Sequence, residues 1–161
     1  MKKIKLVALS LILCSMVTSA QKIPDIKLDD LQSNSFNTGS FNRENAKLTL
    51  LAFWATWCIP CIYELSTIND NLDEWKKKYQ FDFYAVSEDD SRTINRVKPL
   101  VDGKNWDFTV LLDKNQDLKR GLNLPNVPYT ILIKDGKIIY RHSGYVAGDD
   151  ETLLKAIRDN Q

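Results

Sequence analysis

Residues 50–61 read LLAFWATWCIPC, an apolar run that ends in two cysteines. Cys58 and Cys61 are separated by two residues, Ile59 and Pro60, and the chain has one other cysteine, Cys14. A cysteine pair of this spacing can close a structural disulfide, contribute to a metal site or exchange disulfides with other molecules. The surrounding sequence distinguishes these three uses.

Residues 1–20 have the layout of a secretory signal peptide. Three of the first five residues are lysines, an apolar run follows over residues 6–17, and residues 18–20 are small enough for cleavage. The apolar run is too short for a comfortable membrane span. We therefore expect cleavage after Ala20, export to the periplasm or cell envelope, and a mature domain over residues 21–161.

Cys14 leaves a membrane tether open. Its surroundings faintly resemble the lipoprotein box in which a cysteine is acylated, but Leu13 is larger than the residue that such a box has at that place. A tether through Cys14, or through an uncleaved signal, is the alternative to a free mature domain.

Composition and charge are those of an ordinary globular domain. The chain is 43% hydrophobic and 27% charged, and its 161 residues suffice for a sizeable core. Removing residues 1–20 takes away three of 22 basic residues and none of 21 acidic ones, which leaves a net charge of −2. The basic run at residues 76–78 fits a helix C-terminus, so we expect no nucleic-acid partner. No pattern indicates an oligomer, and a monomer is expected.

Hydrophobic periodicity predicts an α/β fold with a central mixed sheet flanked by helices. The nearly all-apolar strand at residues 48–54 is typical of a strand that is buried on both faces. The elements expected in order are a hairpin or paired extensions within 25–42, this strand, a helix from 58–60 to about 79, a strand at 81–86, a helical stretch at about 94–103, a strand at 108–112, a short helix at 117–122, a hairpin with strands at 129–133 and 137–141, and a closing helix at 151–158.

The junction of strand and helix suggests redox chemistry for the cysteine pair. Cys58 falls at a helix N-terminus, where unpaired N–H groups and the helix dipole stabilise a thiolate, and Pro60 suits the first turn. Cys61 lies one turn further on the same face, within bonding reach. A disulfide between them closes too small a ring to act as a strong structural staple. We predict that Cys58 attacks a client disulfide and that Cys61 resolves the mixed disulfide.

A metal centre is the weaker interpretation of the pair. Two cysteines supply half of the ligands that zinc usually takes. Beyond residue 20 the chain has one histidine, His142, and no methionine. His142 lies in a predicted strand and is expected at the surface rather than at a metal. We therefore expect neither a metal nor another cofactor.

Residues 53–61, FWATWCIPC, resemble the active-site strand and helix start of thioredoxin-fold proteins, most closely the exported TlpA/ResA type of thiol–disulfide oxidoreductase. The likeness covers most of the mature chain. Residues 23–26 resemble the N-terminal β extension of that group, and residues 88–113 resemble its central helix-and-strand insertion. The resemblance implies a thioredoxin fold in which Trp57, Ile59 and Pro60 contact clients, although Trp57 and Trp54 could equally be core aromatics.

Residues 127–130, VPYT, resemble the loop in which the same proteins carry a cis-proline facing the cysteines. The resemblance implies that the Val127–Pro128 bond is cis and that the backbone beside it pairs with an extended client as an added strand. A plain proline at the start of a strand is the alternative.

Two positions concern the proton of the resolving thiol. Ordinary thioredoxins carry a buried aspartate six residues before the first cysteine, where this chain has Ala52. Glu64 matches a glutamate that is characteristic of the TlpA/ResA group. We hypothesise that Glu64 takes the proton of Cys61, with its pKa raised by partial burial. The alternative is an exposed glutamate favoured near a helix start.

The resemblance implies an enzyme that reduces protein disulfides. Its clients would include apocytochrome c or other oxidised envelope proteins, and a membrane thiol-reductant conduit would regenerate its dithiol. A disulfide oxidase or isomerase of the same fold is the nearest alternative. A thiol peroxidase would have a threonine three residues before its cysteine, where Ala55 stands, and a metal-binding module is a further alternative. The sequence leaves the client, the electron donor and the redox poise open.

Overall fold

The structure is a computed structural model that describes residues 22–161. The expected signal peptide and Cys14 lie outside the described residues. The strands are β1 Lys27–Asp30, β2 Ser35–Asn37, β3 Leu48–Trp54, β4 Phe81–Ser87, β5 Thr109–Leu112, β6 Tyr129–Lys134 and β7 Lys137–Ser143. The helices are α1 Ile59–Lys78, α2 Val97–Gly103, α3 Asp117–Gly121 and α4 Asp149–Asp159, with 3₁₀ turns at Thr38–Asn42 and Ile94–Arg96.

The seven strands form one mixed sheet in the order β2-β1-β5-β4-β3-β6-β7. β3, β4 and β5 run parallel, and the other neighbours pair antiparallel. The predicted α/β class and mixed sheet are therefore confirmed. The N-terminal hairpin β1–β2 pairs with β5, so the extension and the insertion lie together on one side of the sheet, beyond β4.

β3 is buried along its whole length because helices cover both faces of the sheet. Leu50, Ala52 and Trp54 belong to a core cluster shared with α1, α2 and α4. Leu51 and Phe53 point the other way, into a second cluster shared with α3 and the N-terminal segment. A strand between two apolar layers has no polar face, which explains the uninterrupted apolar run in the sequence.

α1 begins after Cys58, has Pro60 in its first turn and ends before Tyr79. Its buried stripe consists of Leu65, Ile68, Leu72 and Trp75, the spacing expected of an amphipathic helix, together with Cys61 and Glu64. Three lysines fill its last turn, where they favour the dipole. Across residues 22–161, no helix combines the length and the apolar character needed to cross a membrane.

The prediction of a single helical stretch at residues 94–103 is wrong in detail. It divides into a 3₁₀ turn, Ile94–Arg96, and α2, which begins at Val97. Pro99 explains the division, because a residue without an N–H is tolerated in the first turn of an α-helix and disrupts its interior. α4 begins two residues earlier than expected, so that Asp149 and Asp150 join its first turn, where acidic side chains favour the helix dipole.

Candidate active site

Cys58 and Cys61 are joined by a disulfide at the N-terminus of α1, with an S–S distance of 2.02 Å and Cα atoms 5.3 Å apart. Cys58 is the N-cap residue, and its Sγ accepts the backbone N–H of Cys61 at 3.3 Å. Cys58 is 5% exposed and Cys61 is 0% exposed. An approaching molecule therefore reaches Cys58 first, as predicted for a nucleophile with a resolving partner.

The start of α1 favours a negative charge on Cys58. The first turn of the helix contains no acidic residue, so no carboxylate opposes the positive end of the dipole. The Cys61 N–H also points at the Cys58 sulfur, at 3.3 Å. Both features stabilise a thiolate relative to a thiol, and the thiolate is the nucleophile in disulfide exchange.

Apolar side chains surround the outer side of Cys58. Trp57 is 57% exposed and Ile59 is 60% exposed, and Pro60 is exposed as well. Trp54 lies instead in the core, edge-on to Trp106. The structure thus separates the two tryptophans that the sequence left undecided.

Tyr63 extends this apolar surface and was missed in the sequence. It is exposed one turn after Ile59, on the same side of α1. The four-residue spacing from Ile59, off the buried stripe, was the available signal.

The Val127–Pro128 peptide bond is cis, as predicted, and leads into β6. Pro128 is buried, and its carbonyl accepts the Gly144 N–H at 2.9 Å. Val127 is half-buried and packs against the apolar cluster that contains both cysteines. Among the backbone hydrogen bonds of the described residues, none involves Val127.

Glu64 is buried, with 4% of its surface exposed, so the alternative of an exposed glutamate is wrong. Its Oε1 accepts the Thr130 hydroxyl at 2.8 Å, and its buried Oε2 has no hydrogen-bond partner among residues 22–161. Burial raises the pKa of Glu64 to about 7, the Thr130 hydrogen bond opposes this rise, and the negative charge of Asp149 adds to it. A carboxyl group in this state can gain or lose a proton near neutral pH.

The small side chain of Ala52 allows Glu64 of α1 to lie against the sheet. Ala52 lies directly opposite Thr130 in the β3–β6 ladder, and residues so paired project from the same face. The carboxyl group bonded to Thr130 therefore lies on the face where thioredoxins carry their aspartate. A methyl side chain at position 52 leaves room on that face, and the acid comes from the helix instead of from the strand.

Asp89 anchors the loop before Cys58. It follows β4 and is fully buried. Its Oδ2 accepts the Thr56 N–H at 2.9 Å and the Ser87 hydroxyl at 2.9 Å, and its Oδ1 accepts the Thr56 hydroxyl at 2.6 Å. Asp89 was not predicted from the sequence as a site residue. The available signal was its place after a parallel strand, because the ends of such strands meet at the edge of the sheet where the Cys58 loop begins.

Within residues 22–161, no three His, Cys, Asp or Glu side chains converge in a way that could hold a metal ion.

Comparison with known proteins places these features in a family. The AhpC/TSA family matches residues 19–142. Thiol-disulfide oxidoreductase ResA of Bacillus thuringiensis subsp. konkukian is 29% identical over 139 residues, which are 85% of this chain and 77% of that protein.

Two solved structures share the fold. An uncharacterized thioredoxin-like protein from Porphyromonas gingivalis superposes with a TM-score of 0.72 and 34% identity, over 87% of this chain and 92% of that one. A putative thiol:disulfide interchange protein DsbE from Chlorobium tepidum superposes with a TM-score of 0.74 and 25% identity, over 87% and 95%. The predicted thioredoxin fold and the resemblance to the TlpA/ResA type are confirmed.

The buried acid predicts a pH-dependent stability. Because the pKa of Glu64 is higher in the folded than in the unfolded chain, its contribution is present below about pH 4.5 and is lost as pH rises through about 7. We expect this loss to be about 3 kcal/mol and to be absent in Glu64→Gln, whose side chain can still accept the Thr130 hydroxyl. Urea unfolding of the oxidised protein across this pH range measures it.

The relevant quantity is the difference in unfolding free energy between wild type and Glu64→Gln, because burial also raises the pKa values of Glu88 and Asp113. Those groups change stability in the same direction in both proteins and cancel. If wild type and Glu64→Gln lost stability in parallel, the raised pKa of Glu64 would be refuted.

Asp89→Asn tests the anchor of the active-site loop. The substitution replaces one acceptor oxygen by an NH₂ group that faces donors, so we expect a loss of about 1–3 kcal/mol in unfolding free energy. Urea denaturation of the oxidised protein measures it. Asp90→Asn is the matched control, because the Asp90 carboxylate bonds to the exposed Arg92, two residues away, and we expect little change. Equal effects of both variants would remove the special role of Asp89.

Proposed function

The chain belongs to the AhpC/TSA family and is a thiol–disulfide oxidoreductase of the TlpA/ResA type, and on that premise we propose that it reduces the disulfides of exported protein clients. The observation that carries this proposal is the pairing of a slightly exposed Cys58 with an enclosed Cys61, next to a buried acid whose pKa lies near neutrality.

The reaction has two exchange steps. In the reduced enzyme the Cys58 thiolate attacks one sulfur of the client disulfide, and the other client sulfur leaves as a thiolate. Cys61 then transfers its proton to the Glu64 carboxylate and attacks the Cys58 sulfur. The Cys58–Cys61 bond forms, the second client sulfur leaves, and the client is reduced by the two electrons that the enzyme loses.

We assign client binding to the surface around Cys58. Trp57, Ile59 and Pro60 offer exposed apolar area next to the sulfur that the client must approach. The unused backbone groups of Val127, next to Pro128, suit an extended client segment that adds as a strand. Main-chain pairing with apolar contacts is compatible with clients of varied sequence.

Residues 1–20 are proposed to act as a signal peptide and residues 21–161 as the thioredoxin-like domain, working as a monomer in the periplasm or cell envelope. A tether through Cys14 or an uncleaved signal is the alternative. Apocytochrome c and other envelope proteins with oxidised cysteines are the proposed clients. A membrane thiol-reductant conduit would return electrons to the disulfide, since an exported reductase lies far from cytoplasmic reductants.

The peroxidase alternative has little support at the site. Ala55, where a peroxidase would have a threonine, is fully buried and has no hydroxyl group. The neighbouring hydroxyl of Thr56 is donated to Asp89 at 2.6 Å. A hydroxyl group that could bind a peroxide is thus missing from one position and bound to a carboxylate at the next.

The reduction potential of the cysteine pair distinguishes a reductase from an oxidase. We expect a value near that of thioredoxin, about −270 mV, because the proposed enzyme gives electrons to its clients. Tryptophan fluorescence across a thiol–disulfide buffer series measures it, since Trp57 adjoins the pair. A value near about −120 mV would mark an oxidant and would overturn the proposed direction.

Glu64→Gln tests the proton step. Ellman's reagent reacts first with Cys58, and the second release of thiolate then reports the attack of Cys61 on the mixed disulfide. We expect the rate of this second release to fall in the variant and to lose its inflection near pH 7, because no carboxylate accepts the Cys61 proton.

Glu74→Gln is the matched control for this measurement. Glu74 lies on the same helix, is exposed and, within residues 22–161, forms an ion pair with Lys78, so its removal should leave the pH profile unchanged. A Glu64→Gln profile that matches wild type would end the assignment of Glu64 as the proton acceptor.

A further inference from the structure

A group of polar side chains shares one face of the sheet with Glu64. Thr130, which donates to Glu64, is paired with His142 across β6 and β7, so the two side chains share one face of the sheet. The Nε2 of His142 lies 3.2 Å from Oδ2 of Asp149, at the start of α4. The same Oδ2 accepts the Val146 N–H at 2.7 Å, which holds the carboxylate in place.

The titratable groups around Glu64 come from three elements. Cys61 lies on α1 with Glu64, Tyr140 and His142 lie on β7, and Asp149 begins α4. Burial is the main cause that raises the pKa of Tyr140, and the negative charges of Asp149 and Glu64 raise it further. The charge of Asp149 also raises the pKa of Glu64. These groups therefore lie within electrostatic reach of one another.

His142 is the counter-charge in this cluster. Within residues 22–161, it is the one basic side chain that forms an ion pair with Asp149. The neighbouring Arg141 pairs with Ile131, on the opposite face of the sheet. The charge of the His142–Asp149 pair is therefore decided by whether the imidazole is protonated.

The pair also forms the solvent side of the cluster. The side chains of His142 and Asp149 are 30% and 23% exposed, whereas Glu64 is almost enclosed. Protons from solution can exchange with the pair more readily than with Glu64. The sequence prediction of a surface histidine did not include this ion pair with Asp149.

Building on the role proposed for Glu64, we propose that His142 and Asp149 are positioning residues that set the pH at which Glu64 exchanges its proton with Cys61. The Asp149 carboxylate opposes a second negative charge on Glu64. A protonated His142 cancels that charge and favours ionisation of Glu64. When His142 is neutral, the pair is anionic and Glu64 keeps its proton to a higher pH.

The direct test is the titration of the Glu64 side-chain carboxyl carbon by NMR in the full oxidised protein, from about pH 4 to about pH 9. In Asp149→Asn, which keeps an acceptor for the Val146 N–H, the midpoint should move down by about half a pH unit or more. In His142→Gln the midpoint should move up, because the cation that offsets Asp149 is lost.

Asp150→Asn is the matched control. It removes the same charge from the first turn of α4. Within residues 22–161 the carboxylate that pairs with His142 and acts on Glu64 is that of Asp149, so Asp150→Asn should move the Glu64 midpoint less. The proposal is overturned if Asp149→Asn leaves the midpoint in place, if Asp150→Asn moves it equally, or if His142→Gln does not raise it.

A kinetic measurement separates this inference from the proposed function. The inflection in the second thiolate release should follow the Glu64 midpoint, moving down in Asp149→Asn and up in His142→Gln. If the NMR midpoints move as expected but the kinetic inflection does not, the charge control stands and the proton role of Glu64 falls. If Glu64→Gln removes the inflection but the midpoints do not move, the role of Glu64 stands and this inference falls.

Discussion

The junction between β3 and α1 is the constraint on which the site depends. Cys58 lies at the N-terminus of α1 only because the chain turns in one defined way between the strand and the helix. β3 is held by neighbours on both sides and apolar layers on both faces. At the end of β3, the Trp54 carbonyl accepts the Glu88 N–H at 2.8 Å. Asp89, which follows Glu88, accepts the Thr56 N–H. The turn closes with the Cys58 N–H bonded to the Ala55 carbonyl at 3.0 Å. Cys58 is therefore positioned from outside its own helix, by the residues that follow β4.

The two sides of the sheet, on either side of β3, carry different groups of residues. The N-terminal hairpin and the inserted β5 extend the sheet on the side of β4. The cis loop, the Glu64–Thr130 contact and the His142–Asp149 pair lie on the side of β6 and β7. Additions to the minimal fold thus lengthen the sheet away from the groups that we assign to proton handling. The segment after β4 also contacts the active-site loop, since Asp89 follows β4 and accepts hydrogen bonds from Thr56.

Local sequence patterns predicted those parts of the molecule whose causes are local. The period of apolar residues located β3 and the buried stripe of α1, and the cysteine spacing with Pro60 placed the first turn of the helix. Family resemblance supplied the cis bond at Val127–Pro128 and pointed to Glu64. The contacts of Asp89 and His142 were not predictable in this way, because each joins residues from separate elements and depends on strand register. An acidic residue after a strand, or a lone histidine in one, has the same local pattern whether it faces solvent or a buried partner.

Two buried acids at this site, Asp89 and Glu64, differ in the number of hydrogen bonds that they accept. Asp89 receives three donors on its two oxygens, so its negative charge is compensated within the fold and serves to hold a loop. Glu64 receives one donor, and its second oxygen has no partner. Full compensation would stabilise the Glu64 anion and lower its pKa, which would remove its capacity to hold a proton near neutral pH. The unpartnered oxygen costs stability, since a buried polar atom without a partner is unfavourable. We propose that this cost is what lets the carboxyl group exchange a proton with the Cys61 thiol. The cation of the cluster, His142, lies further out on β7, where it pairs with Asp149.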